Sequence, residues 1–229
     1  MKHKKQSVYV MVSVLLCTIL MSVVDGIIQP GYAVKSAVKI VVFYLIPQIY
    51  FLWNREERPY IKQMFQPDKR GLKRAAVLGA GVYAVIVSGY FLLRDMIDFS
   101  GIAGQLTADA GVHAGNFLFV ALYISLMNSL LEEFFFRGYA FLTLKRLTSR
   151  RFAYLFSSIL FAAYHLGMTA GWFAPGVWLL SMAGLFVGGC IFDYLNEKSD
   201  NLYASWLVHL CANAAINTVG CVLFEILPL

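Results

Sequence analysis

Long apolar runs alternate with short polar segments along the whole chain, and this pattern predicts membrane-spanning helices. A helix needs about 20 residues to cross a hydrocarbon core, and most of the runs reach that length. They lack the period-two alternation of transmembrane strands. The runs are Val8 to Val24, Val34 to Trp53, Ala75 to Leu93, Asn116 to about Leu142, Phe152 to Ala170, Gly176 to Tyr194 and Leu202 to Leu227. The prediction is an all-α, polytopic membrane bundle of about seven transmembrane helices.

The composition agrees with a membrane protein and argues against a soluble one. The 229 residues are 59% hydrophobic and only 14% charged, and the mean hydropathy is +0.67. A soluble domain carries about 25% charged residues. The net charge of +6 comes from lysines and arginines that cluster between apolar runs. We therefore predict the lipid bilayer, and no nucleic acid, as the partner of this charge.

The distribution of basic residues predicts the orientation of the chain in the membrane. Basic clusters precede the first run and fill the second and fourth loops, while the third loop carries aspartates. The positive-inside rule then places the N-terminus in the cytoplasm and the C-terminus outside. The basic residues are Lys2, Lys4, Lys5, Arg55, Arg58, Lys62, Lys69, Arg70, Lys73, Arg74, Lys145, Arg146, Arg150 and Arg151.

Two features near the N-terminus need separate interpretation. Lys35 and Lys39 fall on the side that the orientation leaves outside, which indicates snorkelling or a later start of the second span. The leading MKHKK resembles the n-region of a signal peptide, but the GYA at residues 31 to 33 is a poor cleavage site. We expect the first helix to be retained.

Five ionisable side chains lie well inside the predicted spans: Glu132, Glu133, Arg137, His165 and His209. A charged group in hydrocarbon is costly, so such residues face a partner or a polar cavity and are functional candidates. Asp193 lies near the predicted end of the sixth span, and we interpret it as an interfacial aspartate.

Helix geometry separates the two adjacent glutamates. Glu133 and Arg137 are four residues apart, so they share a helix face and can pair. Glu132 is rotated by about 100° from Glu133, and Asn128 lies one turn before it on the same face. We therefore predict a structural role for Glu133, and a Glu132 that is free to transfer protons.

The two histidines lie at depths similar to that of Glu132. Phe161 lies one turn before His165, and His209 shares a face with Asn213 in HLCAN. At 1.5 Å per residue, Glu132, His165 and His209 lie about 15, 20 and 12 Å from the cytoplasmic ends of their helices. The three side chains are therefore expected to converge in one layer of the membrane.

A carboxylate, two imidazoles and an amide in one cavity suit hydrolysis. The glutamate can take a proton from water, one histidine can hold that water, and the other donors can stabilise an oxyanion. Glu132, His165 and His209 are also ordinary zinc ligands. The residues alone leave both alternatives open. A transporter or channel is less favoured, because the polar residues occupy one layer rather than a path across the membrane.

Three segments resemble the signature motifs of the CPBP intramembrane proteases, often called Abi or CAAX-protease-like. This family unites CAAX prenyl proteases with bacteriocin-processing and bacteriocin-immunity proteins. EEFFFRGYAF, SSILFAAYHL and NLYASWLVHLCANA are similar to the patterns EExxxR, FxxxH and HxxxN, in the family order. The similarity covers roughly residues 116 to 220. HExxH, GxGD and GxS, which mark other intramembrane protease classes, do not occur.

The resemblance implies a single membrane domain over residues 1–229, with variable helices in 1–115 and the protease core in 116–229. It implies that Glu132 activates water with help from His165, that His209 and Asn213 stabilise the oxyanion, and that Glu133 and Arg137 support the site. Within this family we favour a metal-free mechanism over a zinc site, because these residues are needed for other tasks.

The resemblance also implies an activity and a location. The expected function is hydrolysis of a peptide bond in a membrane-associated substrate, such as a prenylated protein or a bacteriocin-type peptide. The alternative is a non-catalytic bacteriocin-immunity or partner-binding protein. The expected location is the bacterial cell membrane, with the site opening toward the cytoplasm.

Overall fold

A computed structural model describes residues 2–169 and 171–227. Seven helices in these ranges are long and apolar enough to cross a membrane: α1 (Lys2–Ile28), α2 (Tyr32–Trp53), α3 (Lys69–Leu93), α4 (Phe117–Leu147), α5 (Arg150–Thr169), α6 (Pro175–Ser199) and α7 (Tyr203–Leu223). The described part is helical and contains no strand. This confirms the predicted polytopic helical bundle. Ala170, the predicted end of the fifth span, lies outside the described residues.

Most helices extend beyond the apolar runs that predicted them. The first helix begins at Lys2 rather than Val8, and the third begins at Lys69 rather than Ala75. Hydropathy detects the part of a helix that fits hydrocarbon, whereas a helix ends where its backbone is capped. Asp68 provides such a cap, because its carboxylate accepts hydrogen bonds from the Arg70 and Gly71 amides at 3.1 and 2.8 Å.

Short segments connect the membrane helices. A break at Gln29, with φ of 46°, separates α1 from α2 just before Pro30. Two short helical pieces, Arg55–Glu57 and Arg58–Met64, join α2 to α3. The helix Ser100–Ala110 lies between α3 and α4 and ends at Gly111, with φ of 66°.

Four stretches of the membrane helices are wider than a regular α-helix, with i→i+5 backbone hydrogen bonds. They are Val24–Ile28, Val41–Leu45, Ile124–Asn128 and Glu133–Leu142. Such turns are rare and are frequent at functional sites. The longest follows Glu132 directly and changes the directions of the side chains that come after it.

The glutamate-bearing half of α4 is the most buried part of the bundle. Every residue from Glu132 to Leu144 is buried. Aromatic rings fill the space around it, and the Phe43 ring of α2 stacks on Phe135 with centroids 4.1 Å apart. Helix α3 packs mainly along α7, where Gly79 allows close approach of Cys211.

Two glycines bring the end of α1 against the turn that follows His165. A Cβ added at Gly167 would lie 2.5 Å from the Ser22 carbonyl oxygen, and one at Gly26 would lie 3.0 Å from the Gly167 Cα. Side chains at either position would separate the two backbones. The N-terminal helix therefore supports the position of His165.

Candidate active site

Glu132 is buried, and polar groups from two helices hold one of its oxygens. Its side chain is 3% exposed. The Asn128 amide donates to Glu132 Oε1 at 2.8 Å, and Lys39 Nζ from α2 lies 3.4 Å from the same oxygen. Lys39 also donates to Asn128 Oδ1 at 2.7 Å. Glu132 Oε1 is therefore fixed by an amide and an ammonium group.

His209 of α7 lies between the two glutamates. Its Nδ1 is 2.9 Å from Glu133 Oε1, and its Nε2 is 3.8 Å from Glu132 Oε2. In a regular helix the two glutamates would point about 100° apart. The backbone keeps regular helical angles at both residues, with φ and ψ of −66° and −42° at Glu132 and −63° and −41° at Glu133, so the two side chains still diverge. Both carboxylates reach one imidazole because the His209 ring lies between them and turns a different nitrogen to each.

Arg137 is fully buried and pairs with two carboxylates. Its Nε lies 3.7 Å from Glu133 Oε2, as the four-residue spacing predicts, and 3.7 Å from Asp193 Oδ1. The guanidinium carbon lies 4.1 Å from the centroid of the Phe161 ring. The two carboxylates and the ring face lie close enough to offset the positive charge, but within the described residues no hydrogen bond joins Arg137 to either carboxylate.

The structure corrects the interpretation of Asp193. Helix α6 continues six residues beyond it to Ser199, and the side chain is fully buried rather than interfacial. Ser157 and Ser158 of α5 each donate to one of its oxygens at 3.1 Å. Asp193 therefore joins α5 and α6 to the arginine behind the site.

The structure also corrects the interpretation of Lys35 and Lys39. Helix α2 begins at Tyr32, so both lysines lie within the helix rather than in the segment before it. Each lysine side chain is only 12% exposed and points to a carboxylate inside the bundle rather than to an interface. Lys35 Nζ lies 3.9 Å from Asp25 Oδ1, whereas Lys39 contacts Glu132.

His165 is held by the residue one turn before it. Its Nδ1 lies 2.7 Å from the Phe161 carbonyl oxygen. A carbonyl only accepts, so Nδ1 carries the proton, and Nε2 of the neutral ring is an acceptor. The Phe161 ring also contacts His209, with centroids 5.9 Å apart, and supports Arg137. The phenylalanine of the FxxxH pattern thus packs against both imidazoles.

Asn213 makes its polar contact with the backbone of α4 rather than with the side chains of this cluster. It is half-buried one turn after His209, and its amide donates to the Ile124 carbonyl oxygen of α4 at 3.3 Å. The direct contacts of the cluster join Glu132, Glu133 and His209, and His165 is connected to them through Phe161. The roles predicted for these residues stay predictions.

The donor set named for zinc is not arranged as a metal site. Residues 2–169 and 171–227 contain no group of three or more His, Cys, Asp or Glu side chains placed to share a metal ion. His165 Nδ1 contacts a backbone carbonyl, and the two nitrogens of His209 face different carboxylates.

Sequence reasoning missed two members of the site. Lys39 and Asp193 are both charged residues within apolar runs, and this feature could have marked them as candidates for the site. Hydropathy places Asp193 near a span end, and the positive-inside rule leaves Lys39 on the outer side, so neither is predicted as a site residue. Only the packing of α2 and α6 against α4 shows which carboxylate or guanidinium each contacts.

These contacts define a class of protein: a membrane helical bundle with a buried cluster of carboxylates, imidazoles and cations. Residues 114–215 match a family model described as Rce1-like, type II CAAX prenyl endopeptidase Rce1-like. This match agrees with the resemblance of the same segment to the CPBP family. The match supports a CAAX-type intramembrane endopeptidase in general. Comparisons with curated proteins and with solved structures give no match.

Proposed function

We propose that the chain is an intramembrane endopeptidase in which Glu132 activates a water molecule to hydrolyse a peptide bond of a membrane-associated substrate. The observation that carries this proposal is the asymmetric environment of the Glu132 carboxylate. Asn128 and Lys39 hold Oε1, whereas Oε2 faces His209 Nε2 across 3.8 Å with no direct hydrogen bond. A carboxylate that is held by one oxygen can present the other to a water molecule within hydrogen-bond reach, as a general base must.

The reaction begins with transfer of a proton from water to Glu132 Oε2. The neutral His165 ring accepts a second hydrogen bond from this water through Nε2, which aligns the water oxygen with the substrate carbonyl. The oxygen adds to the carbonyl carbon and gives a tetrahedral intermediate. The C–N bond then breaks, and the proton on Glu132 passes to the departing amine nitrogen, so that Glu132 returns to its starting state.

His209 and Asn213 are the proposed donors to the oxyanion. His209 Nδ1 donates to Glu133, so Nε2 donates only when the ring carries a second proton, and the Glu133 carboxylate compensates that charge. Asn213 has two amide hydrogens, and only one is needed for its bond to Ile124. The other is free to bond to a substrate oxygen. No metal ion takes part in this proposed reaction.

The proposed substrate is a membrane-associated peptide, and a prenylated C-terminal CAAX peptide is the first probe because of the family match. The purified full chain in lipid vesicles is assayed with a fluorogenic farnesylated peptide of this type. We expect Glu132→Gln to lower kcat/KM at least about 100-fold, which is the usual contribution of a general base. A chelator is expected to leave the activity unchanged.

Glu56→Gln is the matched control, because Glu56 is exposed in the segment between α2 and α3 and pairs only with residues near the N-terminus. It is expected to retain the wild-type rate. Undiminished turnover by Glu132→Gln would refute the glutamate mechanism. Loss of activity with the chelator, restored by zinc, would favour the zinc alternative.

A further inference from the structure

Lys39 lies outside the segment that matches the family, yet it contacts the proposed base. The matched segment is residues 114–215, and Lys39 belongs to α2. It is one of the few cations within the described part of the chain that point into the bundle. Its side chain is 12% exposed, and its ammonium group also lies 5.0 Å from the centroid of the Tyr164 ring.

The contacts of Lys39 form a closed triangle with two residues of α4. The ammonium donates to Asn128 Oδ1 at 2.7 Å, the Asn128 amide donates to Glu132 Oε1 at 2.8 Å, and the ammonium lies 3.4 Å from that same oxygen. Each of these three side chains therefore helps to orient the other two. Asn128 has its amide oriented by the cation, so that the NH2 group faces the carboxylate.

The charges around Glu132 do not cancel without Lys39. Glu133 is adjacent, and its charge is shared with Arg137 and His209. Asp193 contacts Arg137, and the other lysine of α2, Lys35, contacts Asp25. Among residues 2–169 and 171–227, Lys39 is therefore the lysine or arginine that contacts Glu132. A carboxylate buried in a low-dielectric setting requires such a partner to remain an anion.

We propose that Lys39 is a positioning residue of this site, which rests on the proposed function. With Asn128, it holds the Glu132 carboxylate as an anion by Oε1 and leaves Oε2 as the oxygen that accepts the proton from water. The N-terminal helices are then part of the active site rather than a support around it.

The kinetic test uses Lys39→Met and Lys39→Arg, with Lys35→Met as the matched control. Lys35 lies one turn away on the same helix, has the same exposure and pairs with Asp25 instead. In the farnesylated-peptide assay we expect Lys39→Met to lower kcat about 10- to 100-fold with KM changed less than about twofold. Lys39→Arg should restore a large part of kcat, because it keeps the charge. Lys35→Met should keep the wild-type kcat.

An infrared measurement tests the same proposal without any substrate. The difference spectrum between wild type and Glu132→Gln isolates the Glu132 carboxyl group, and we expect a carboxylate band. The same difference in the Lys39→Met background should show a protonated carboxyl band, while the Lys35→Met background should keep the carboxylate. An unchanged carboxylate band in Lys39→Met, together with a wild-type kcat, would overturn the proposal.

The two proposals fail differently. If Glu132→Gln cleaves at the wild-type rate, the hydrolytic mechanism is wrong, and the role of Lys39 as a positioning residue for a base is wrong with it. If Glu132→Gln is inactive but Lys39→Met is fully active and retains the carboxylate band, only the assignment of Lys39 is wrong.

Discussion

Arg137 is a buried guanidinium group that shares its charge between two carboxylates on different helices. It lies 3.7 Å from oxygens of both Glu133 and Asp193, and it packs on the Phe161 ring. A charge in this position costs several kcal/mol in desolvation unless its partners compensate it. The i,i+4 spacing predicted the contact with Glu133, but nothing in the local sequence relates Arg137 to Asp193, 56 positions later. That contact depends on how α6 packs against α4.

Asp193→Asn is expected to destabilise the protein, because it leaves Arg137 with one carboxylate instead of two. Removing one partner of a buried pair costs about 3 kcal/mol or more. The loss is measured by unfolding of the purified protein in mixed micelles. Asp95→Asn is the control, since Asp95 is exposed in the turn after α3, and its effect should stay within about 0.5 kcal/mol. Equal stability of the two variants would contradict the pairing.

Removing the Arg137 guanidinium group should recover part of the stability that Asp193→Asn loses. In the Asp193→Asn background, Arg137→Met deletes the uncompensated cation, so the double variant should be more stable than the sum of the two single effects predicts. The coupling free energy expected for such neighbours is about 1 to 3 kcal/mol. Additive effects would show that Arg137 and Asp193 do not interact in the folded protein.

Helices could be predicted from the sequence more completely than the contacts between them. The apolar runs determine how many helices cross the membrane, because length and hydropathy are local properties. The i→i+5 turns after Glu132 could not be predicted, since hydropathy does not distinguish them from a regular helix. Helix geometry predicted two divergent glutamates, but it could not show that His209 of α7 lies between them and contacts both.

The contact between the end of α1 and the turn after His165 provides a test of helix packing. Gly167→Ala places a methyl group 2.5 Å from the Ser22 carbonyl oxygen, so one backbone must move. We expect a loss of about 1 to 3 kcal/mol in stability. The shift should also displace His165, two residues away, and lower kcat/KM. The free energy of unfolding and kcat/KM are both measured on the same purified protein.

Gly176→Ala is the matched control for this substitution. Gly176 lies in the first turn of α6, and no atom lies within 4 Å of a Cβ added there. Alanine is the better helix former, so this variant should be neutral or up to about 1 kcal/mol more stable. If Gly167→Ala behaves like Gly176→Ala, then α1 does not support the turn that carries His165.

The whole molecule has a site assembled from helices far apart in the chain. Glu132 and Glu133 come from α4, His165 from α5, Asp193 from α6, and His209 from α7, while α2 contributes Lys39. The recurrent motifs identified α4, α5 and α7, because each carries its functional residues at helical spacing. The contributions of α2 and α6 are single charges without a local pattern, so tertiary packing alone reveals them.

Lys35 and Lys39 lie on the outer side in the predicted orientation, where the positive-inside rule expects few basic residues. Their positions in the bundle explain this exception. Lys35 and Lys39 lie within α2 and pair with carboxylates of the bundle, so they are not loop charges for the positive-inside rule. The remaining basic clusters lie at the start of α1, between α2 and α3, and between α4 and α5. A topology in which the seven helices cross the membrane in turn predicts all three clusters on one side and the two termini on opposite sides.

We therefore expect an N-terminal epitope tag to be protected from protease added to intact cells, and a C-terminal tag to be digested. The physical reason is that basic segments remain in the cytoplasm during insertion. Lys35→Gln and Lys39→Gln should leave this result unchanged, because paired lysines inside the bundle do not direct the orientation. Replacing the basic residues before α1 should increase the inverted fraction. Digestion of both tags in intact cells, or of neither, would contradict the seven-span topology. If Lys35→Gln reversed which tag is digested, this lysine would act as a loop charge.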